Sequence, residues 1–360
     1  MRRGWAIMAL LGFLAFVGSN LNSETEGPRP FPLRSSYEEV GSFQVNRAPV
    51  VDGRMEPLWG KAQPLRVWTF PIQKFGNRRL IPVELRSVHT DTEIFFLIRW
   101  RDDTQSLHFK PWVYDGEDWK EEKDLADDAL AFNWNISSPL FPIIGCRAQC
   151  HLSSYPERTG LAPHDMWTNR SGAKLDHWEW RATETGTLGW IKDGRIDHVG
   201  FEAFVEKNPG QKPRGRYLDG GKYNPDIFQF NLDPATEDSP QFVPNPAKGG
   251  DLHAPAIRIT GPDAAVPLDE VDEDIFRPGD RVAGILLPAQ VSKKLRGDLD
   301  GKAVYADGHW TLELRRKLIT RDPDDIQFDL RKDGPYLFGV AVFDHSVYHN
   351  FSDVVRLRFR

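Results

Sequence analysis

Only two cysteines occur in this 360-residue chain, and both fall in the string Cys146-Arg147-Ala148-Gln149-Cys150-His151. The pattern is one residue longer than the C-x-x-C-H signature of covalent haem attachment. In that chemistry each thiol forms a thioether with a haem vinyl group, and the adjacent imidazole ligates the iron from the same turn. The spacing therefore points to a c-type haem site with a three-residue spacer. Two other chemistries fit the same residues. A Cys146–Cys150 disulfide would close a tight loop in an oxidising compartment. A zinc site on Cys146, Cys150 and His151 would need a fourth ligand.

With His151 as the proximal ligand, a six-coordinate electron-transfer haem needs a second one, and Met166, His164, His345 and His349 are the candidates. Beyond the N-terminal segment methionine occurs only as Met55 and Met166. A lone Met is more often packing than ligand. Met166, however, sits in the polar stretch His164-Asp165-Met166-Trp167-Thr168-Asn169, which packing alone explains poorly. His345 and His349 follow an apolar strand, Phe338 to Phe343, and belong to a strand end or turn, where a surface histidine is the ordinary reading.

The elements that must position these groups begin after a targeting signal. Met1-Arg2-Arg3, an apolar run from Trp5 to Val17 and the small-residue exit Gly18-Ser19-Asn20 read as a secretory signal peptide over 1–23. An uncleaved N-terminal anchor is the alternative. Export places the protein in the periplasm, the side of the membrane where haem is attached covalently and thiols oxidise. No later segment is apolar enough to span a bilayer. A net charge of −6 argues against a nucleic-acid partner.

Residues 24–44, rich in Pro, Glu, Arg and Ser, read as an exposed leader, and 45–360 as a single domain. Short β-type runs follow at Leu65 to Phe70, Ile81 to His89, Glu93 to Trp100 and Ala129 to Trp134. Val83 to Val88 alternate with a period of two, and Ile94 to Ile98 form a continuous apolar run that would be buried on both faces. After a Gly-, Pro- and Asn-rich irregular insertion over 194–267, β signals return at Arg281 to Leu287, His309 to Leu318, Tyr336 to Asp344 and Val354 to Phe359. The pattern predicts an all-β, antiparallel β-sandwich with the haem-bearing loop set between its strands. The carboxylates from Asp115 to Asp128 read as a solvated loop, or as a docking patch for a basic redox partner.

Several strings together resemble a known family: Asp52-Gly53 with Trp59, Phe95 to Trp100 with Asp102 behind it, Gly145-Cys146 to His151, Met166 followed by Asp176-His177-Trp178-Glu179-Trp180-Arg181, Arg316-Lys317-Leu318, and Gly339 to Asp344. They resemble the ethylbenzene dehydrogenase-like haem-binding domain, the gamma subunit of periplasmic molybdenum enzymes related to dimethyl sulfoxide reductase. The resemblance implies a sandwich similar to carbohydrate-binding modules. It also implies a haem iron held by a Met just before the Trp-x-Trp segment and a Lys near the C-terminus. Met166 matches the first position, and the second falls at His349. This chain departs from that b-type pattern by adding Cys146, Cys150 and His151. One covalent haem c on His151 with Met166 or His349 is the expected state; a second, non-covalent haem b between Met166 and His349 is the alternative.

The chain carries no Ser/His/Asp elbow, no Gly-rich nucleotide loop and no iron–sulfur ligand set. The expected function is single-electron transfer rather than catalysis by this chain itself. The expected partners are a molybdenum catalytic subunit and an iron–sulfur subunit, or a soluble cytochrome. A secreted carbohydrate-binding module with a Cys146–Cys150 disulfide is the competing expectation.

Overall fold

The computed structural model describes residues 37–71, 79–146, 168, 172–197, 216–218, 229–259, 265–287, 297–332, 334–346 and 348–360. In chain order the strands of the first half are β1 (Glu38–Gln44), β2 (Leu65–Pro71), β3 (Ile81–His89), β4 (Glu93–Arg101), β5 (Trp112–Tyr114), β6 (Trp119–Glu121), β7 (Ala129–Asn135), β8 (Leu175–Arg181) and β9 (Lys192–Ile196). Short strands β10 (Arg216–Leu218), β11 (Gln229–Phe230), β12 (Phe242–Val243), β13 (Ile257–Arg258), β14 (Val266–Pro267), β15 (Arg281–Val282) and β16 (Ile285–Leu287) follow. The last are β17 (Asp300–Ala306), β18 (His309–Lys317), β19 (Tyr336–Phe343), β20 (Asn350–Ser352) and β21 (Val355–Phe359).

One 13-stranded sheet runs β10-β9-β8-β7-β19-β20-β2-β3-β4-β18-β17, with β1 and β21 branching from it. Its two halves fold over a shared core. Phe96, Ile98 and Trp100 of β4 and Trp310, Leu312 and Leu314 of β18 meet Leu130, Phe132 and Trp134 of β7, Trp178 and Trp180 of β8, and Phe338, Val340 and Val342 of β19. Each buried aliphatic or aromatic side chain contributes roughly 1.5–3 kcal/mol by leaving water. Aromatic edge-to-face and stacked pairs, such as Trp134 with Phe338 at 4.4 Å between centroids, add to this.

The continuous run in β4 has the predicted cause. Phe96, Ile98 and Trp100 face the main core, while Phe95 and Leu97 pack with Val45, Trp59 and Ala62 in a second cluster. Trp59 is fixed there because its Nε1 donates to Glu313 Oε1 at 2.7 Å, and the other oxygen of Glu313 takes the Asp52 and Gly53 amides.

Three features differ from the sequence reading. The N-terminal boundary lies earlier: Glu38–Gln44, read as leader, is a strand paired in parallel with β21 and β3. Its short alternation, with Val40 and Ser42 buried, is masked in the sequence by flanking charges. The irregular insertion also contributes packing of its own. Val243 and Ile257 join Trp112, Trp119, Phe276 and Val282 in a satellite core. The acidic stretch divides as well: Asp118 is exposed, whereas Asp127 and Asp128 are buried at the start of β7.

Candidate cofactor face of the sheet

Strand β8 is buried along its whole length, so both of its faces are covered. Asp176, Trp178 and Trp180 point into the sandwich. Asp176 Oδ2 accepts from Arg316 Nη1 at 2.7 Å and from the Ile326 amide at 2.9 Å. Arg316 is itself fully buried, its guanidinium 5.0 Å from the Trp178 ring centroid. This anchor fixes the strand's rotation, and with a period of two His177, Glu179 and Arg181 must face the other way.

Register then defines what lies beside them, since residues directly opposite share a face. His177 pairs with Asn133 and Gly194, Glu179 with Ala131 and Lys192, and Arg181 with Ala129. Across β7, Asn133 faces Gly339, Ala131 faces Ala341, and Ala129 faces Phe343. The middle of this outer face is therefore floored by Ala129, Ala131, Gly339 and Ala341, with almost no side-chain relief.

Cys146 sits at one end of that floor. Gly145, with φ of 58°, ends the helical turn Phe141–Ile144 and turns the chain so that Cys146 packs with Phe141, Leu175, Ile196 and Val354. A Cβ at Gly339 would lie 2.7 Å from the sulfur, so only glycine admits the thiol. Asn133 Nδ2 donates to Cys146 Sγ at 3.3 Å, and Asn133 Oδ1 lies 2.7 Å from His177 Nδ1. With Oδ1 as acceptor, His177 Nδ1 carries the proton and Nε2 carries the lone pair, the tautomer a metal-ligating imidazole needs. Burial pushes the Cys146 thiol up to about 11, with the Asn133 hydrogen bond opposing the shift.

The other end carries charge and His349. Arg181 is buried against Asp127, Glu179 and Glu184, and Lys192 against Glu179 and Glu184. Burial alone would lower the Arg181 pKa, but these carboxylates outweigh it and hold the guanidinium above its ordinary range. Its carbon lies 5.6 Å from the Phe343 ring centroid, and His349, 7% exposed, lies 4.7 Å from the same ring. Gly339 and Phe343 are four residues apart on β19, roughly 13 Å at a strand's rise. Cys146 and His349 thus approach opposite ends of one face.

Of the residues predicted from sequence, Cys146 and His349 are brought to this face. Cys150, His151, His164 and Met166 lie outside the described residues. His345 goes elsewhere: its ring Nδ1 lies 3.0 Å from Ser106 Oγ, and its amide donates to Asp128 Oδ1. The sequence reading does not single out His177 as a ligand; its signal is a histidine on the strand face opposite Trp178 and Trp180, in period-two alternation with them.

The fold is all-β, with Cys146 packed at the edge of one face of the sheet. The chain belongs to the ethylbenzene dehydrogenase family, whose model matches residues 56–354. Among solved structures, a family 9 carbohydrate-binding module from Caldicellulosiruptor kristjanssonii in complex with cellotriose is similar at 9% identity and a TM-score of 0.31, over 90% of this chain and 95% of that one. A putative carbohydrate-binding protein from Bacteroides uniformis is similar at 8% identity and a TM-score of 0.34, over 90% of this chain and 100% of that one. A comparison with curated proteins found no match.

Proposed function

We propose that this protein is an exported c-type cytochrome that passes single electrons as the haem, gamma-type subunit or close partner of a periplasmic molybdenum oxidoreductase. The observation that carries the reading is the Cys146–Asn133–His177 chain at the edge of the Ala129–Ala131–Gly339–Ala341 floor. A flat macrocycle would lie against the small residues of this face, with one sulfur and two imidazoles at its margins. Cys146 and Cys150 would hold the group covalently, and His151, with Met166 or His349, would supply the axial ligands. The bound haem would contribute one-electron redox chemistry. This chain's residues orient and shield it. Asn133 fixes the His177 tautomer, Gly339 clears space for the sulfur, and the buried strands β7, β8 and β19 keep water from the face.

Membership in the ethylbenzene dehydrogenase family supports association with a molybdenum enzyme complex, including its iron–sulfur subunit. The signal-like N-terminus supports a periplasmic location. No helix of the described residues is long and apolar enough to cross a membrane. A sugar-binding role draws less support, because nine of the ten described tryptophans are buried and Trp68 alone is exposed. A pyridine haemochrome spectrum and intact mass of the exported protein test the reading. A thioether-type α band and one haem mass added, both lost in the Cys146→Ala/Cys150→Ala variant, are expected. A colourless polypeptide, or one with a Cys146–Cys150 disulfide, refutes it.

A further inference from the structure

Away from this face, three connections converge at one end of the sandwich: the exit of β4, the entry to β7 and the exit of β19. Asp102, Asp128 and Asp344 come from these points, and each places a carboxylate oxygen within 4.8 Å of the others. Asp102 and Asp128 are 1% and 0% exposed. Such a group is costly unless something positive or hydrogen-bonding meets it.

The available donors are few. Asp128 accepts from the Ser106 amide at 2.7 Å, Trp310 Nε1 at 3.0 Å and the His345 amide at 3.2 Å. Asp344 takes Arg79 Nη2 at 3.3 Å, but that guanidinium is 42% exposed and is held more closely by Asp103 at 2.6 Å. Asp102 Oδ1 accepts from the Thr104 amide at 3.1 Å. Asp102 Oδ2 is buried, and no described group donates to it. In a second acidic group, Asp176, Asp193 and Asp325, the buried guanidinium of Arg316 pairs with Asp176 at 2.7 Å.

We propose that Asp102, Asp128 and Asp344 bind a Ca2+ ion that ties the ends of β4, β7 and β19 together. An all-oxygen, carboxylate-rich donor set selects a hard divalent cation. Ca–O bonds of about 2.3–2.6 Å let one ion reach oxygens that lie within 4.8 Å of one another, and Mg2+, which demands near-ideal octahedral geometry and dehydrates reluctantly, suits such an all-protein carboxylate site less well. A cavity of about 800 Å³ lined by Thr104, Ser106, Asp344 and His345 gives the ion and its waters a route in. Burial, followed by mutual repulsion, pushes Asp102 up to about 6 and Asp128 up to about 7, the mark of carboxylates lacking a counter-charge.

Equilibrium dialysis of the purified full protein against 45Ca2+, after treatment with a chelator, tests the assignment independently of the haem. One Ca2+ per chain is expected, not displaced by a tenfold excess of Mg2+ and accompanied by a melting temperature that rises with Ca2+ concentration. Asp102→Asn and Asp344→Asn should each weaken binding by at least about tenfold through loss of a charged ligand, while Asp118→Asn, on an exposed turn, leaves it unchanged. If one of the two variants does not fold, the other carries the comparison. Absence of calcium binding by the native protein, equal displacement by Mg2+, or undiminished binding in a folded Asp102→Asn or Asp344→Asn variant overturns the proposal.

Discussion

If Gly339 is a glycine because the Cys146 sulfur occupies the space of its missing side chain, the two positions should be energetically coupled. A Cβ at 339 would stand 2.7 Å from Sγ, with Ser352 Oγ at 3.8 Å and Phe141 Cζ at 3.9 Å. Gly339→Ala therefore overpacks the site, at a cost of about 1–3 kcal/mol. Unfolding entropy of about 2.1 cal/mol/K per residue over residues 37–360 gives a slope near 0.7 kcal/mol per degree, so the melting temperature should fall by roughly 2–4 °C. Cys146→Ala opens a cavity in a buried cluster, at about 1–2 kcal/mol. In the double variant the new methyl fills the space the sulfur vacates. The pair should then be more stable than the sum of the single losses by about 1–3 kcal/mol. Urea unfolding followed by circular dichroism, on haem-free protein made without residues 1–23, gives all four corners of the cycle. Strict additivity would refute the packing argument, and with it the placement of Cys146 against the sheet face.

Arg316→Met should cost about 3–5 kcal/mol, because it strands Asp176 inside the core; a loss below 1 kcal/mol by urea unfolding would show that the pair does not anchor β8. The raised pKa values of Asp102 and Asp128 set a pH dependence for the calcium-free protein. The folded state holds these protons where the unfolded state has released them, so the stability they contribute is full below about pH 4 and is lost as pH rises through about 6 to 7. Melting curves across that window should flatten in Asp102→Asn, and an unchanged slope would contradict the assignment. In the haem-loaded protein, Met166→Ala and His349→Ala should have unequal effects: the variant that removes the distal ligand shifts the potential or gives high-spin iron, and the other leaves the spectrum intact. If neither alters the spectrum, His177→Ala becomes the decisive variant.

Much of the fold could be read from local patterns. The alternation in β3, the doubly buried run Ile94 to Ile98 and the C-terminal strands were all visible, because burial on one face or two leaves a period-two or continuous apolar signature. Strand β8 was not, because its residues Leu175 to Arg181 mix charges and aromatics on both faces. Its polar side chains are buried only by virtue of partners distant in sequence, such as Arg316 for Asp176 and Asn133 for His177. The acidic stretch misled for a similar reason. Asp127 and Asp128 resemble their exposed neighbours in type, and only Arg181, Ser106 and Trp310 distinguish them.

By itself the sequence determined the local chemistry: a pair of cysteines with an adjacent histidine, the strand periodicity and the family to which they belong. Tertiary structure decided which groups meet. It set Cys146 against Gly339, oriented His177 through Asn133, placed His345 against Ser106 and Asp128 and His349 against Phe343, and gathered Asp102, Asp128 and Asp344 from three separate connections. The reason is physical: a side chain's type is local, but its neighbours and exposure are fixed by strand register between residues that can lie hundreds of positions apart.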